Sequence, residues 1–185
     1  MKINEELEKY IKDKILPRYN DNDKGHGIDH VMHVIDRSFR FAKNIDDINL
    51  NMVYTVAAYH DVGHSVDAKR HEEISGQILL DDKELRKYFT EEEIRVMSEA
   101  VNDHRASLEY EPRSIYGKIV SSADRNTKLE VPFKRTYEYR KKHFGNMSLK
   151  QIMDESYEHL LNKFGEEGYA NEKIYFEDIE YKIFL

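Results

Sequence analysis

Apolar residues recur at three- and four-residue intervals along most of the chain, the repeat of one face of an α-helix. The pattern predicts a first helix from about Asn4 to Ile15. It stops before Pro17, because a proline pushes the preceding residue out of the helical region. "RYNDNDKGHG" is rich in Asn, Asp and Gly and reads as a loop. A second helix starts near Ile28, with Val31, Val34, Ile35, Phe39 and Ala42 as its buried stripe. A third runs from about Asp47 to His60, and Gly63 helps to terminate it. After the connection "SVDAKR", "HEEISGQILLDD" predicts a helix with Ile74, Ile78 and Leu79 inward. "TEEEIRVMSEAVNDH" opens with Thr90 and has Glu93 three residues on, a capping-box pattern, and its apolar positions Ile94, Met97 and Val101 keep helical spacing. "RASLEYEPRS" reads as a loop and "IYGKIVSSADRN" as a helix with a polar end. "FKRTYEYRKKHF" fits an amphipathic helix with Phe133, Tyr137 and Phe144 inward, and "LKQIMDESYEHLLNKF" another with Ile152, Tyr157, Leu160 and Leu161 inward. Short strands are conceivable only near "KIYFED" or "YKIFL". The expected class is all-α, a helical bundle.

Composition narrows this further. With 185 residues, 35% of them charged and 39% hydrophobic, the chain suffices for one domain spanning 1–185 with a sizeable core. Scarce Gly (8) and Pro (3) suit helices better than a many-turned β protein. The formal net charge of -7 argues against broad binding to a nucleic-acid backbone, and it favours a solvated helix face over a nucleic-acid surface for the basic "FKRTYEYRKKHF". The absence of cysteine excludes disulfides, thiolate metal sites and cysteine nucleophiles, so any metal site must use imidazole and carboxylate. The charged start "MKINEELEKY" and the lack of a long apolar run give no signal peptide and no membrane span, which makes a cytoplasmic location the expectation.

Nine histidines are present, and seven lie between His26 and His104. His30 and His33 share a helix face at i, i+3, with His26 in the loop before them. His60 and Asp61 are consecutive and diverge by about 100° on a regular helix, so both reach one ion only near a helix end. Asp124 closes "KIVSSAD" at a helix C-terminus, where the macrodipole disfavours a carboxylate unless a cation faces it.

His30, then His60–Asp61, then Asp124 after "IVSSA" resembles the H…HD…D signature of the HD-domain superfamily of metal-dependent phosphohydrolases. "HGIDHVMHV", "AAYHDVGH" and "KIVSSADR" are similar to the segments that carry it, over about Gly25 to Asn126. The resemblance implies a helical bundle holding a divalent cation (Mn, Fe, Co, Ni, Zn or Mg) through His30, His60, Asp61 and Asp124. One position departs: many members carry arginine where this chain has His33, so a phosphate contact there becomes pH-dependent. His71 and His104 stand, in order, where two-metal branches place further histidines; they are either ligands of a second ion bridged by Asp61, or hydrogen-bonding groups around a single one.

What the resemblance implies chemically is hydrolysis of a small phosphate ester, with a nucleotide as the leading class, by water activated at the cation. His64, three residues after Asp61, is either the general acid or water-positioning group, or a helix cap. Lys69, Arg70, Arg105 and Arg125 flank the ligand positions and are candidate phosphate contacts, with Arg105 the first choice for its bidentate geometry. A non-catalytic metal- and nucleotide-binding sensor of the same fold is the alternative. A di-iron carrier is disfavoured because paired Glu-x-x-His motifs are missing.

Overall fold

The computed structural model describes residues 2–23, 25–125, 130–170 and 173–184, and the chain divides into two compact units, Met1–Asp124 and Arg125–Leu185. Among the described residues every regular element is helical and there is no strand. None of these helices is long and apolar enough to cross a membrane.

In the first unit α1 (Glu5–Tyr10) starts at Asn4, whose side chain accepts from the N–H groups of Glu6 and Leu7. The chain then loosens into a π turn (Ile11–Ile15) and tightens into a 3-10 helix (Leu16–Asp21). It therefore stays helical past Pro17, contrary to expectation: the proline sits in the first turn of the 3-10 segment, where its missing N–H costs no bond. Next come α2 (Ile28–Ala42) and α3 (Leu50–Tyr59). Val31, Val34, Ile35 and Ala42 are buried on α2 as expected, whereas Phe39 is half-buried. Helix α3 begins three residues later than its apolar pattern suggested, because Asn49 caps it and the preceding turn passes through Asp47 at φ 56°. Residues Met52–Tyr59 are buried on every face, which makes α3 the central helix.

Helices α4 (His71–Asp81), α5 (Glu91–Asn102) and α6 (Ile115–Ala123) complete this unit. Helix α3 packs against α2, α5 and α6, while α4 lies along α5. Leu79, Ile94, Met97 and Val101 are fully buried between them. The Thr90–Glu93 capping box is present in both directions. Gly63 plays a different part from the one expected. Helix α3 ends four residues before it, and Gly63 does not take up a positive φ. A Cβ at Gly63 would stand 2.7 Å from Ile74 Cγ2 and 2.9 Å from the Ser75 nitrogen, so the glycine permits the 60–66 turn to press onto α4.

In the second unit α7 (Glu130–His143) packs against α8 (Leu149–Phe164), and α9 (Ile179–Phe184) follows. The inward row of α8 is Ile152 and Ser156 with Leu160 half-buried, while Tyr157 and Leu161 are exposed. Phe133 and Phe144 are likewise exposed and Tyr137 is half-buried. "YKIFL" forms helix rather than strand through Phe184, because Asp178 accepts from the Tyr181 N–H at 3.1 Å and opens α9.

Candidate metal centre

The histidines and aspartates singled out in the sequence stand at helix ends. His30 lies in the first turn of α2, His60 and Asp61 follow α3, His71 opens α4, His104 follows α5 and Asp124 follows α6. The sequence tension over His60 and Asp61 is resolved because regular helix ends at Tyr59; His60 Nε2 then lies 3.3 Å from Asp61 Oδ2. Buried contacts fix these ends. The Tyr19 hydroxyl donates to the Ala58 carbonyl at 3.0 Å and accepts from the Asp61 N–H at 3.2 Å. The buried Arg37 donates to the carbonyls of Ser122 (3.2 Å) and Ala123 (3.1 Å), the orphan carbonyls beside Asp124. Fully buried Asp103 takes the Arg113 guanidinium at 2.8 and 2.9 Å, next to His104.

Two groups of donors form around Asp61. On one side Oδ2 lies 3.5 Å from His30 Nε2, which is 3.2 Å from His60 Nε2 and 3.0 Å from Asp124 Oδ1. On the other, Oδ1 lies 3.2 Å from His71 Nε2 and 3.5 Å from His104 Nε2, and those two nitrogens are 3.3 Å apart. His60 and His104 are entirely or almost entirely buried, as is Asp61. The order of residues left open whether His71 and His104 approach Asp61; the structure brings both to its second oxygen.

The outer nitrogens decide what these groups fit. Nδ1 of His60, His71 and His104 meets the backbone carbonyls of Ala57 (2.8 Å), Ala68 (2.9 Å) and Val101 (2.6 Å). A carbonyl only accepts, so each Nδ1 carries a proton, and when the ring is neutral it is the Nε2 lone pair that faces the centre. Asp61 Oδ1 is buried without a hydrogen-bond partner. Acceptors therefore face acceptors, an arrangement that costs free energy unless a cation joins them. Ligands about 2.1 Å from a divalent ion stand roughly 3.0–3.4 Å apart at adjacent positions, close to the separations seen here. The donor set suits Mn, Fe, Co, Ni or Zn better than Mg, which prefers oxygen alone.

Electrostatics follow from this crowding. Burial works to raise the Asp61 carboxyl, but the imidazoles of His60, His104 and His30 outweigh it and hold it well below the usual carboxylate range. Asp124 is lowered in the same way, burial being outweighed by His30 and His60. For His30, burial opposes the charged ring, yet Asp124 and Asp61 outweigh it and push it up to about 9. His71 is lowered by burial and by the neighbouring His104, whereas Asp61 raises His104 against its own burial.

The remaining expected residues lie in varied surroundings. His64 is buried, stacks on His26 with ring centroids 3.9 Å apart, and turns Nε2 towards Asp23 Oδ2 at 4.0 Å. Arg105 donates to Glu72 Oε1 at 2.8 Å and to the Lys69 carbonyl at 3.1 Å, beside His71. Lys69 is exposed, Arg70 is exposed and paired with Glu73 at 2.6 Å, and His33 is half-buried one turn after His30. Arg125 belongs to the second unit, where its guanidinium donates to the carbonyls of Ala170 and Lys173 and covers the Tyr181 ring. Those contacts engage its guanidinium within that unit. Two residues in contact with these side chains escaped the sequence reading: Asp23, whose spacing of three from His26 inside a polar loop was the available signal, and Glu72, which pairs across 33 residues with Arg105.

Residues 27–128 match the family model described as HD domain. No curated protein matches the chain. Among solved structures, one described as a predicted HD superfamily hydrolase from an uncultured Thermotogales bacterium is 20% identical, with a TM-score of 0.53 over 85% of this chain and 86% of that one. At this identity the likeness is one of fold.

Proposed function

The chain belongs to the HD domain family, and on that premise we propose that it is a metal-dependent phosphohydrolase with two divalent cations, one held by His30, His60, Asp124 and Oδ2 of Asp61, the other by Oδ1 of Asp61, His71 and His104. The observation that carries this reading is the orphaned Asp61 Oδ1 facing two imidazoles whose protons are committed to backbone carbonyls. Cations at these positions supply an acidified water as nucleophile and positive charge for a phosphoryl group. Asp61, with Oδ2 facing His30 and Oδ1 facing His71, would offer one oxygen to each ion. The carbonyl-anchored rings hold their tautomer and aim without reorganising. Arg105, which pairs with Glu72, is our first candidate for a phosphate contact, made by exchanging or sharing its carboxylate partner. Lys69 and His33 are secondary candidates. The substrate class is a small phosphate monoester or diester, with a nucleotide foremost; the net charge of -7 disfavours polymeric nucleic acid.

The test is the purified full chain stripped of metal, reloaded in turn with Mn, Fe, Co, Ni, Zn or Mg, and assayed on a panel of phosphate esters and nucleotides. Metal-dependent phosphate release that is lost in Asp61→Ala is expected. Absence of hydrolysis with every ion would sink the enzyme reading. Ligand-dependent melting shifts without product would instead favour a sensor of the same fold.

A further inference from the structure

A third group of donors lies outside the six ligands above: Asp23, His26 and His64 each offer one atom, and these atoms lie within 4.8 Å of one another. His64 is 8% exposed although it stands in a polar turn; its Nε2 lies 4.0 Å from Asp23 Oδ2, and its ring is 5.4 Å from that of His71. At 4.0 Å that separation is too long for a hydrogen bond. It falls within the roughly 4.2 Å that spans an ion with bonds of about 2.1 Å. His26 Nδ1 is hydrogen-bonded to Asp23 Oδ1 at 2.9 Å, a separation that adjacent ligands of one ion also show, and its ring lies nearly parallel to that of His64, at 22°.

The group is also built in place. Asp23 Oδ1 accepts from the N–H groups of Gly25 at 2.7 Å and His26 at 3.1 Å, which fixes the carboxylate. Asn22 Nδ2 donates to the carbonyls of His26 (2.9 Å) and Asp61 (3.0 Å), tying this loop to the turn that carries His64. We propose that Asp23, His26 and His64 form a third cation site, taking a first-row divalent transition metal. Two imidazoles and one carboxylate are the donor set such ions prefer, and Mg or Ca would be poorly served. The Asp23 side chain is 61% exposed, so the ion keeps open positions for water or a phosphate oxygen. His64 is then a ligand rather than the proton carrier that its place after Asp61 suggested. The site shares no ligand with the two-ion centre and stands or falls separately.

The experiment counts ions. The metal-stripped full chain is dialysed to equilibrium against excess Co(II), and bound cobalt per chain is measured by elemental analysis, with the visible cobalt absorption as a second readout. Asp23→Asn and His64→Gln are compared with wild type, and Asp61→Ala reports separately on the two-ion centre. The expected result is one cobalt fewer per chain in both Asp23→Asn and His64→Gln, with a matching loss of absorption. Cobalt counts equal to wild type in either variant, including a wild type that binds none, overturn the site. Any variant that loses helical circular dichroism is replaced by His26→Gln and judged by the same count. Loss of cobalt in Asp61→Ala alone would leave the two-ion reading standing and this one refuted.

Discussion

Tyr19 holds Asp61 in place without touching its carboxylate. Its hydroxyl is fully used, donating to Ala58 and accepting from the Asp61 N–H inside the core. Tyr19→Phe keeps the ring and removes both bonds, so we expect a loss of about 1–2 kcal/mol, read as a melting temperature lower by roughly 2–8 °C, with weaker metal binding. Unchanged stability would show that the phenol does not support this turn. His30 yields a prediction with a sign. Its folded pKa is raised from 6.5 to about 9, so in the metal-free protein the stabilisation is complete below about pH 6.5 and disappears as pH rises through 9. The effect amounts to roughly 3 kcal/mol at most. A bound cation competes for the same nitrogen, so the increment that metal adds must grow over that window. Melting curves of chelated and loaded protein from pH 6 to 9.5 should therefore diverge, and the divergence should shrink in His30→Gln. Parallel curves would mean that His30 does not exchange a proton for metal.

At the scale of elements, the centre depends on helix ends being held at fixed positions. Arg37 reaches from α2 to the last carbonyls of α6, just before Asp124. Arg37→Met keeps much of the apolar stem and leaves those carbonyls unpaired, at a cost of about 1–3 kcal/mol. Metal affinity should fall by about 10–100-fold, as for other groups that orient ligands; calorimetric titration with Mn(II) reads the change, and an unaltered affinity would remove Arg37 from this role. Arg113→Ala strands the buried Asp103 carboxylate beside His104 and should cost roughly 3 kcal/mol. The helices and the H…HD…D order were legible because a 3.6-residue period and the chemistry of the donors are written locally. The meeting of His71 and His104 at Asp61 was not, since it depends on a turn pressed against α4 through Gly63. The Glu72–Arg105 pair joins residues 33 apart and left no local trace. On α8, apolarity pointed to Tyr157 and Leu161 together with Leu160, whereas Ser156 is the residue that is buried and Tyr157 and Leu161 are exposed.

At the scale of the whole molecule, a chain of net charge -7 repels phosphate unless positive charge is concentrated at one point. Arg70 and Arg125 are committed to protein carboxylate and carbonyl groups, and Arg105 is shared with Glu72. On the proposed function, cations at the centre would concentrate positive charge where these arginines do not. The same cations should contribute strongly to stability, because the folded chain gathers donors that the unfolded chain scatters over nearly a hundred residues, from His30 to Asp124. At a free metal concentration 100 times Kd, one site adds about 2.7 kcal/mol. For a chain of this length that is a rise of roughly 5–10 °C in the metal-responsive transition. Thermal scans with Mn(II) or Co(II) should show the rise, chelator should reverse it, and Asp61→Ala should lose most of it, since that carboxylate faces both groups of donors. A melting temperature indifferent to metal and chelator would mean that the acceptors around Asp61 are reconciled by protons alone.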